Sequence, residues 1–427
     1  MITAIVIIFI IGYAAIALEH GISINKAASA LVTGVLCWTV YIISSSDKHL
    51  VSEQLTDHLG ELSGILFFLL GAMTIVELID IHDGFNIITD RIHQTNKRKL
   101  LWIVSFITFF LSPLLDNLTT TIVMISLIRK LMNEREDRLL FVGMVVIAAN
   151  AGGAWSPIGD VTTTMLWIGG QITAANIIIQ LILPSLVCLV VPLSVVSLRL
   201  KGNVNRPEVN QKHNQHTELS KLQQYIVFFS GVLILILVPV FKTLTHLPPY
   251  MGILIGLGLL WIIVEIMHGT KPEIEKHHLS VSNALRKVDS PSILFFLGIL
   301  LSIAALQSAG ILSSVADWMA ARIGDENIIA VSFGLLSSIV DNVPLVAAAQ
   351  GMYTLEQYPT DHSFWEFLAY TTGTGGSALI IGSAAGVAAM GMEKINFFWY
   401  LKKISLLALT GYFSGAAIYI LEHYLFK

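Results

Sequence analysis

The chain has 427 residues, of which 55% are hydrophobic and 13% charged, with a formal net charge of −4. Soluble domains carry roughly 45–50% apolar and about 25% charged residues, so this composition excludes a water-soluble globular protein. No basic cluster exceeds Lys97-Arg98-Lys99, which argues against nucleic acid as a partner, and Cys37 and Cys188 lie in apolar runs that offer neither a disulfide framework nor a thiolate metal site.

A segment of about 17–25 apolar residues crosses the ~30 Å hydrocarbon core of a bilayer. The runs 2–18 and 27–44 meet that length and form an N-terminal unit, 1–60. The first has no basic stretch ahead of it and reads as a retained span, not a signal peptide. The run 61–79 opens a second unit, 61–199. There 100–128 is interrupted by Asp116-Asn117, a pair that favours caps and turns over helix interiors. The apolar leg after the pair is about 10–11 residues, half the hydrocarbon depth, which predicts a re-entrant hairpin. Next, 139–170 would extend roughly 48 Å as one helix, yet Asn150-Ala-Gly-Gly-Ala-Trp-Ser-Pro-Ile-Gly-Asp160 breaks its middle. The span 174–198 closes the unit.

Residues 200–290 read as a linker: polar loops 200–221 and 269–290, with spans 223–241 and 249–267. The loop histidines His213, His216, His277 and His278 read as solvated. The last unit, 291–427, repeats the order of the second. After span 291–309, 327–352 is interrupted by Asp341-Asn342, and 364–391 is broken at Gly373-Thr-Gly-Gly-Ser-Ala-Leu-Ile-Ile-Gly-Ser383 before the span 396–421. Gly152-Gly153 and Ile158-Gly159 align with Gly375-Gly376 and Ile381-Gly382 at an offset of 223, and the Asp-Asn pairs lie 225 apart. Paired interrupted segments in an internal repeat point to a secondary transporter. With both hairpins re-entrant, every Lys and Arg except Lys48, Lys242, Arg322 and Lys427 falls on one side, as the positive-inside rule demands. The expected fold is an all-α polytopic membrane protein, an inverted-repeat secondary transporter with two re-entrant hairpins and two broken transmembrane helices, both termini outside.

A carboxylate at membrane depth costs about 2.5–3.5 kcal/mol even on the lenient insertion scale, and Asn, Ser or Thr caps a helix without that cost. Asp116 and Asp341 are therefore the first candidates for function, with Asn117 and Asn342 beside them. Thr119, Thr120 and Thr121 follow the first junction, whereas the second has Pro344, which cannot donate, so its tip must close differently. Asn150, Ser156, Asp160, Thr162 and Thr163 line the first break, with Asp160 a third acid or a proton carrier. At the second break Thr374, Ser377 and Ser383 carry no charge and read as packing residues. Glu19, His20, Glu77, Asp80 and Glu265, near span ends, read as a solvated face, and Trp38, Trp102, Trp261 and Trp399 as interface anchors.

The set Asp116, Asn117, Asp160, Asp341 and Asn342 is rich in oxygen ligands and suits a hard cation. Every Lys and Arg reads as lying near a span end or in a loop, so none grips an anion. Neighbouring buried carboxylates cannot all ionise cheaply, so the site would hold protons or a metal cation in turn, which is cation/proton antiport once access alternates.

Leu115-Asp116-Asn117-Leu118-Thr119-Thr120-Thr121, Asn150 through Asp160 with Val-Thr162-Thr163, and Val340-Asp341-Asn342-Val-Pro344 resemble the motifs of the NhaD-type sodium/proton antiporters of the ion transporter superfamily. The resemblance covers nearly the whole chain. It implies export of Na+ or Li+ in exchange for H+, a homodimer, a bacterial inner membrane and no resident cofactor, the ions being cargo. It also implies that Asp116, Asn117, Asn150, Asp160, Thr162, Thr163, Asp341 and Asn342 are the functional set; Thr120 joins them as a candidate ligand from the residues alone. Dicarboxylate carriers of the superfamily bear Ser-Asn-Thr at the hairpin tips, where this chain has Asp in place of Ser. Arsenite carriage stays open. A cation channel and an intramembrane aspartyl protease, faintly suggested by Pro157-Ile158-Gly159-Asp160, are the rival classes.

Overall fold

The computed structural model describes residues 2–17, 19–89, 91–205, 220–269 and 272–426, and among them every assigned element is helical, with no strand. Nine helices among the described residues are long and apolar enough to cross a membrane. Their outward faces stay hydrocarbon: Leu244 and Ile266 are 76% and 77% exposed. A surface of that kind is stable only against lipid, so the chain is a multi-pass membrane protein.

The expected spans form as Ile2–Ala17, Lys26–Ser44, Ala174–Arg199, Lys221–Thr245, Pro249–His268 and Ser290–Ser308, and the last run as Phe397–Tyr400, a π-helical turn Leu401–Ser405 and Leu406–Phe426. Two elements are longer than their apolar runs. The 61–79 run lies inside the 34-residue helix Lys48–Ile81, roughly 51 Å long. Asp47 starts that helix by accepting from the His49 and Leu50 N–H groups, and its first dozen residues are too polar for hydropathy to register. The leg after Asp116 runs Asn117–Leu131, 15 residues where 10–11 were expected, because it continues through Arg129 and Lys130, whose charges suit a helix C-terminus. Ile311–Arg322 is an additional helix between the Ser290–Ser308 span and the second Asp-Asn segment.

The broken segments are helix, gap, helix: Arg135–Ala154 then Val161–Ile168, and Ser363–Gly375 then Ala384–Glu393. The Asp-Asn segments are Lys97–Leu115 joined to Asn117–Leu131, and Glu326–Leu336 joined to Asn342–Met352. Each first leg locks onto its broken helix through the same contacts. A Cβ on Gly152 would lie 2.4 Å from Phe109 O, and one on Gly375 would lie 2.0 Å from Gly334 O. Ser112 Oγ donates to Ala149 O at 2.7 Å, and Ser337 Oγ to Thr372 O at 2.8 Å. These paired contacts keep the 225 and 223 offsets of the sequence repeat.

One large core joins these central elements. A second core packs Ile2–Ala17, Lys26–Ser44 and part of Lys48–Ile81 against Ser290–Ser308. There Trp38 is not an interface anchor: it is 6% exposed and its Nε1–H donates to Leu301 O at 2.9 Å. Buried this deeply, an indole N–H needs a protein acceptor.

At the end of the second broken helix, Glu393 accepts from Arg129 Nε at 2.6 Å and Arg138 Nε at 2.8 Å. Its side chain is 2% exposed, whereas the arginines are 45% and 21% exposed. The clasp ties together three elements that carry candidate residues. Glu393→Gln is expected to lower the stability of the detergent-purified protein by about 2 kcal/mol, read as a lower Tm, because both charge-assisted bonds go while the arginines regain water. An unchanged Tm would make the clasp ornamental.

Candidate functional site

The first junction is strained. Asp116 adopts φ 66°, ψ 163°, a region nearly reserved for glycine, at a cost on the order of 1–3 kcal/mol. In return its carboxylate caps Asn117–Leu131, accepting from Thr119 N at 2.7 Å and Thr119 Oγ1 at 3.0 Å. At the second junction the position equivalent to Thr119 is Pro344. Asp341 takes an ordinary φ of −46° and accepts instead from Val343 N at 3.3 Å. The missing proline N–H thus closes the two tips differently, as the sequence suggested.

Between the junctions stands Asp160, 2% exposed, at the head of Val161–Ile168. Its Oδ1 accepts from Thr162 N at 2.9 Å and Thr162 Oγ1 at 2.8 Å. Asn117 Nδ2 reaches Oδ2 at 2.6 Å, and Asn342 Nδ2 reaches Oδ1 and Oδ2 at 3.3 and 3.2 Å. The asparagines of both junctions therefore converge on one carboxylate. Asn117 Nδ2 also lies 3.0 Å from Asn150 Oδ1, and Asn150 Nδ2 donates to Ser377 Oγ and Ser383 Oγ at 2.9 Å each.

Ser377 and Ser383 correct the sequence reading. They are polar partners of Asn150 and not packing residues alone, with Ser383 also capping Ala384–Glu393 through Gly386 N. Thr374 bonds back to Tyr370 O and stays outside the network. Thr163 Oγ1 donates to Asp160 O at 2.9 Å, and Ser156 Oγ to Pro113 O at 2.9 Å, which holds the break against the first leg. Thr120 and Thr121 are fully buried, and among the described residues their hydroxyls have no hydrogen-bond partner.

Asp116 and Asp160 share the wall of a small cavity of about 20 Å³ whose remaining lining is mostly apolar, including Phe68, Met73, Val76 and Leu235. That is room for one water-sized occupant with two carboxylates facing it. Met73 and Val76 also line a second, far larger cavity of about 900 Å³. Its mouth is charged, with Glu19, Glu77, Asp80, Asp83, Lys130 and Lys287 on it, and its lining reaches Leu118 and Thr119 beside the first Asp-Asn junction and Ala384 beside the second break. Glu77 pairs with Lys287 at 3.4 Å. Met73 and Val76, from one helix, thus border both the charged cavity and the acidic one.

On the far side of the small cavity Phe68 meets Trp167 edge-on at 6.4 Å, and Lys242 lies over the Trp167 ring at 4.7 Å and donates to Trp167 O at 2.7 Å.

Asp341 does not line either cavity as Asp116 does. Its neighbour is a residue that by sequence lies near a span end: Lys26 Nζ is 3.8 Å from Asp341 Oδ2. No spacing rule links residues so far apart in the chain, and only the reach of a lysine side chain joins them. Glu265 is bonded by Trp261 Nε1 at 2.9 Å, and His277 packs edge-on against His278 at 6.2 Å. His213, His216 and the side chain of His20 lie outside the described residues.

The model of the citrate transporter family matches residues 3–375. Sodium/proton antiporter 1 of Arabidopsis thaliana is 50% identical over 98% of this chain and 72% of its own length. Sodium/proton antiporter 2 of the same plant is 48% identical over 98% and 99%. The Na+/H+ antiporter NhaD of Vibrio parahaemolyticus is 31% identical over 90% of this chain and 97% of its own. Matches this long place the three sequence motifs in the setting of whole related transporters, and the chain belongs to the citrate transporter family and, within it, to the NhaD-type sodium/proton antiporters.

Proposed function

We propose that the protein is a secondary transporter that exchanges Na+, or Li+ by the same chemistry, for H+, with cation and proton competing for the carboxylates of Asp116 and Asp160. It has no enzymatic activity in this reading. The observation that carries it is the cavity of about 20 Å³ shared by those two acids. A hard cation prefers such oxygens, and two carboxylates around one small space do not both stay ionised without a positive partner. Asn117, Asn342 and Thr162 donate to the Asp160 carboxylate, and Asn150 holds Asn117 in place.

Alternating access by two inverted repeats, each with a re-entrant hairpin and a broken helix, is supported by the glycine and serine contacts that recur at fixed offsets. The charged mouth of the large cavity carries Lys130 and Lys287, residues that the charge asymmetry assigns to the inside. On that orientation both termini lie outside and export starts from the large cavity. The bacterial inner membrane and the homodimer rest on the resemblance to NhaD proteins. Dicarboxylate carriage, which the family description invites, lacks its usual requirement: among the described residues no Lys or Arg bonds to the Asn117–Asn150–Asp160–Asn342 cluster.

The test uses proteoliposomes with an acidic lumen and an internal pH-sensitive dye. Added Na+ or Li+ is expected to raise the lumenal pH while K+ and succinate leave it unchanged. Silence with the cations, alongside uptake of labelled citrate or succinate, would replace antiport by anion carriage. In the same assay Asp160→Asn is expected to change the pH profile or the H+/Na+ ratio, since the change removes one titrating group and keeps its shape. An identical profile and ratio would reduce Asp160 to a helix cap.

A further inference from the structure

The two Asp-Asn junctions are chemically unequal. Asp116 is satisfied by an N–H and an O–H of Thr119. Asp341, with proline in that position, has one long bond from Val343 N and a lysine ammonium beside it. The Lys26 Nζ stands 3.8 Å from Asp341 Oδ2 and 4.5 Å from the centre of the buried Phe295 ring. Carboxylate and ammonium are each partly exposed, at 17% and 23%. The pair is in contact range without a hydrogen bond, a loose arrangement for oppositely charged groups.

Its placement is unfavourable for the helix. Lys26 is the first residue of Lys26–Ser44, where the macrodipole repels a cation, so local helix electrostatics do not account for it there. The Phe295 face and Asp341 offset that repulsion. Lys26 also lines the large cavity, together with Glu19, whose carboxylate accepts from the Lys26 backbone N–H at 3.1 Å. Lys26 thus borders the large cavity on one side and Asp341, which lines neither cavity, on the other.

We propose that Lys26 is a tethered counter-cation for Asp341: its ammonium neutralises Asp341 while no transported cation is near, and gives way when Na+ arrives, swinging into the cavity beside Glu19. The proposal rests on the antiport reading and deepens it. Charge is conserved in the exchange, one ammonium for one Na+. The ammonium sets how much Na+ is required to displace it. Lys26 is a positioning residue that acts through Asp341.

The experiment measures the half-saturating Na+ concentration for dye-reported exchange in proteoliposomes of the full chain, and 22Na+ binding to the same proteins in detergent. Lys26→Gln removes the competitor and is expected to lower the half-saturating concentration about tenfold. Lys26→Arg offers a fork that grips the carboxylate with two bonds, and is expected to raise it. In an Asp341→Asn background, which is followed by binding, adding Lys26→Gln is expected to change nothing. Equal or same-direction shifts in the two single variants, or a Lys26→Gln effect that survives Asp341→Asn, would overturn the proposal and leave antiport standing. Should Lys26→Gln not fold, the sign of the Lys26→Arg shift decides alone. Wild-type protein that moves no protons with Na+ overturns the antiport reading itself.

Discussion

Asp116→Asn is expected to cut Na+-driven proton exchange by about a hundredfold or more while leaving a folded protein in detergent. The change replaces the carboxyl group of one of the two acidic residues that line the cavity of about 20 Å³ and keeps the volume of the side chain. Losing even an outer-shell partner of a bound metal typically costs 10–100-fold, and in the proposed mechanism Asp116 holds the cation directly, so the loss is expected to reach the upper end or pass it. The fold is spared for two reasons. Asparagine has the same shape and branching as aspartate, so the backbone strain that Asp116 already bears at φ 66°, ψ 163° does not grow. The amide oxygen still accepts from Thr119 N, so the cap on Asn117–Leu131 survives. The measurement is the initial rate of dequenching after a Na+ pulse, normalised to folded protein by size-exclusion chromatography. Exchange at the wild-type rate would remove Asp116 from the ion path.

Gly375→Ala should fail at an earlier stage. Its added Cβ would lie 2.0 Å from Gly334 O and 2.7 Å from Gly334 C, and both sides of that contact are backbone. Overpacking a yielding core costs about 1–3 kcal/mol; here neither partner has a rotamer to change, and a loss of roughly 3 kcal/mol or more is expected. Gly152→Ala, aimed at Phe109 O from 2.4 Å, should behave alike. The readout is the folded fraction surviving a heat challenge before chromatography. Gly60→Ala is the control: nothing lies within 4 Å of its added carbon, and in a helix interior the change is expected to stabilise by about 0.5–1 kcal/mol. Equal survival of Gly375→Ala and the control would mean that the close crossing does not hold the segments together.

The helices at the core were legible because membrane depth makes polar residues costly. Asp116-Asn117, Asp341-Asn342 and the glycine-rich gaps stand out against hydrocarbon, and helices do end at Leu115, Ala154, Leu336 and Gly375. The convergence of Asn117 and Asn342 on Asp160 was legible only as a set of residues, since spacing says nothing of direction. Ser377 and Ser383 escaped because a hydroxyl in a small-residue stretch looks like packing until its partner, Asn150, is seen across more than two hundred residues. Lys26 escaped for a related reason. It belongs by sequence to a span end, and four methylenes carry its charge inward to Asp341. The first turns of Lys48–Ile81 and the Glu393 clasp were hidden because polar helices and ion pairs leave no hydropathy signal.

The wall made by Met73 and Val76 has a further consequence. Toward the charged mouth, the acidic cavity is closed by an unbranched thioether and one valine, and a methionine rotamer change takes well under a microsecond. Toward the opposite face it is closed by Phe68 against Trp167, with Lys242 seated over the indole and bonded to its carbonyl. Opening that side means separating two edge-on rings and a charged cap on the end of Val161–Ile168. On the proposed alternating access, the charged end is the thin gate and this end the thick one. Under the proposed exchange, ions from the charged end are expected to reach Asp116 and Asp160 faster than the thick gate opens, so substitutions that loosen Trp167 or Lys242 should act on maximal velocity more than on apparent affinity.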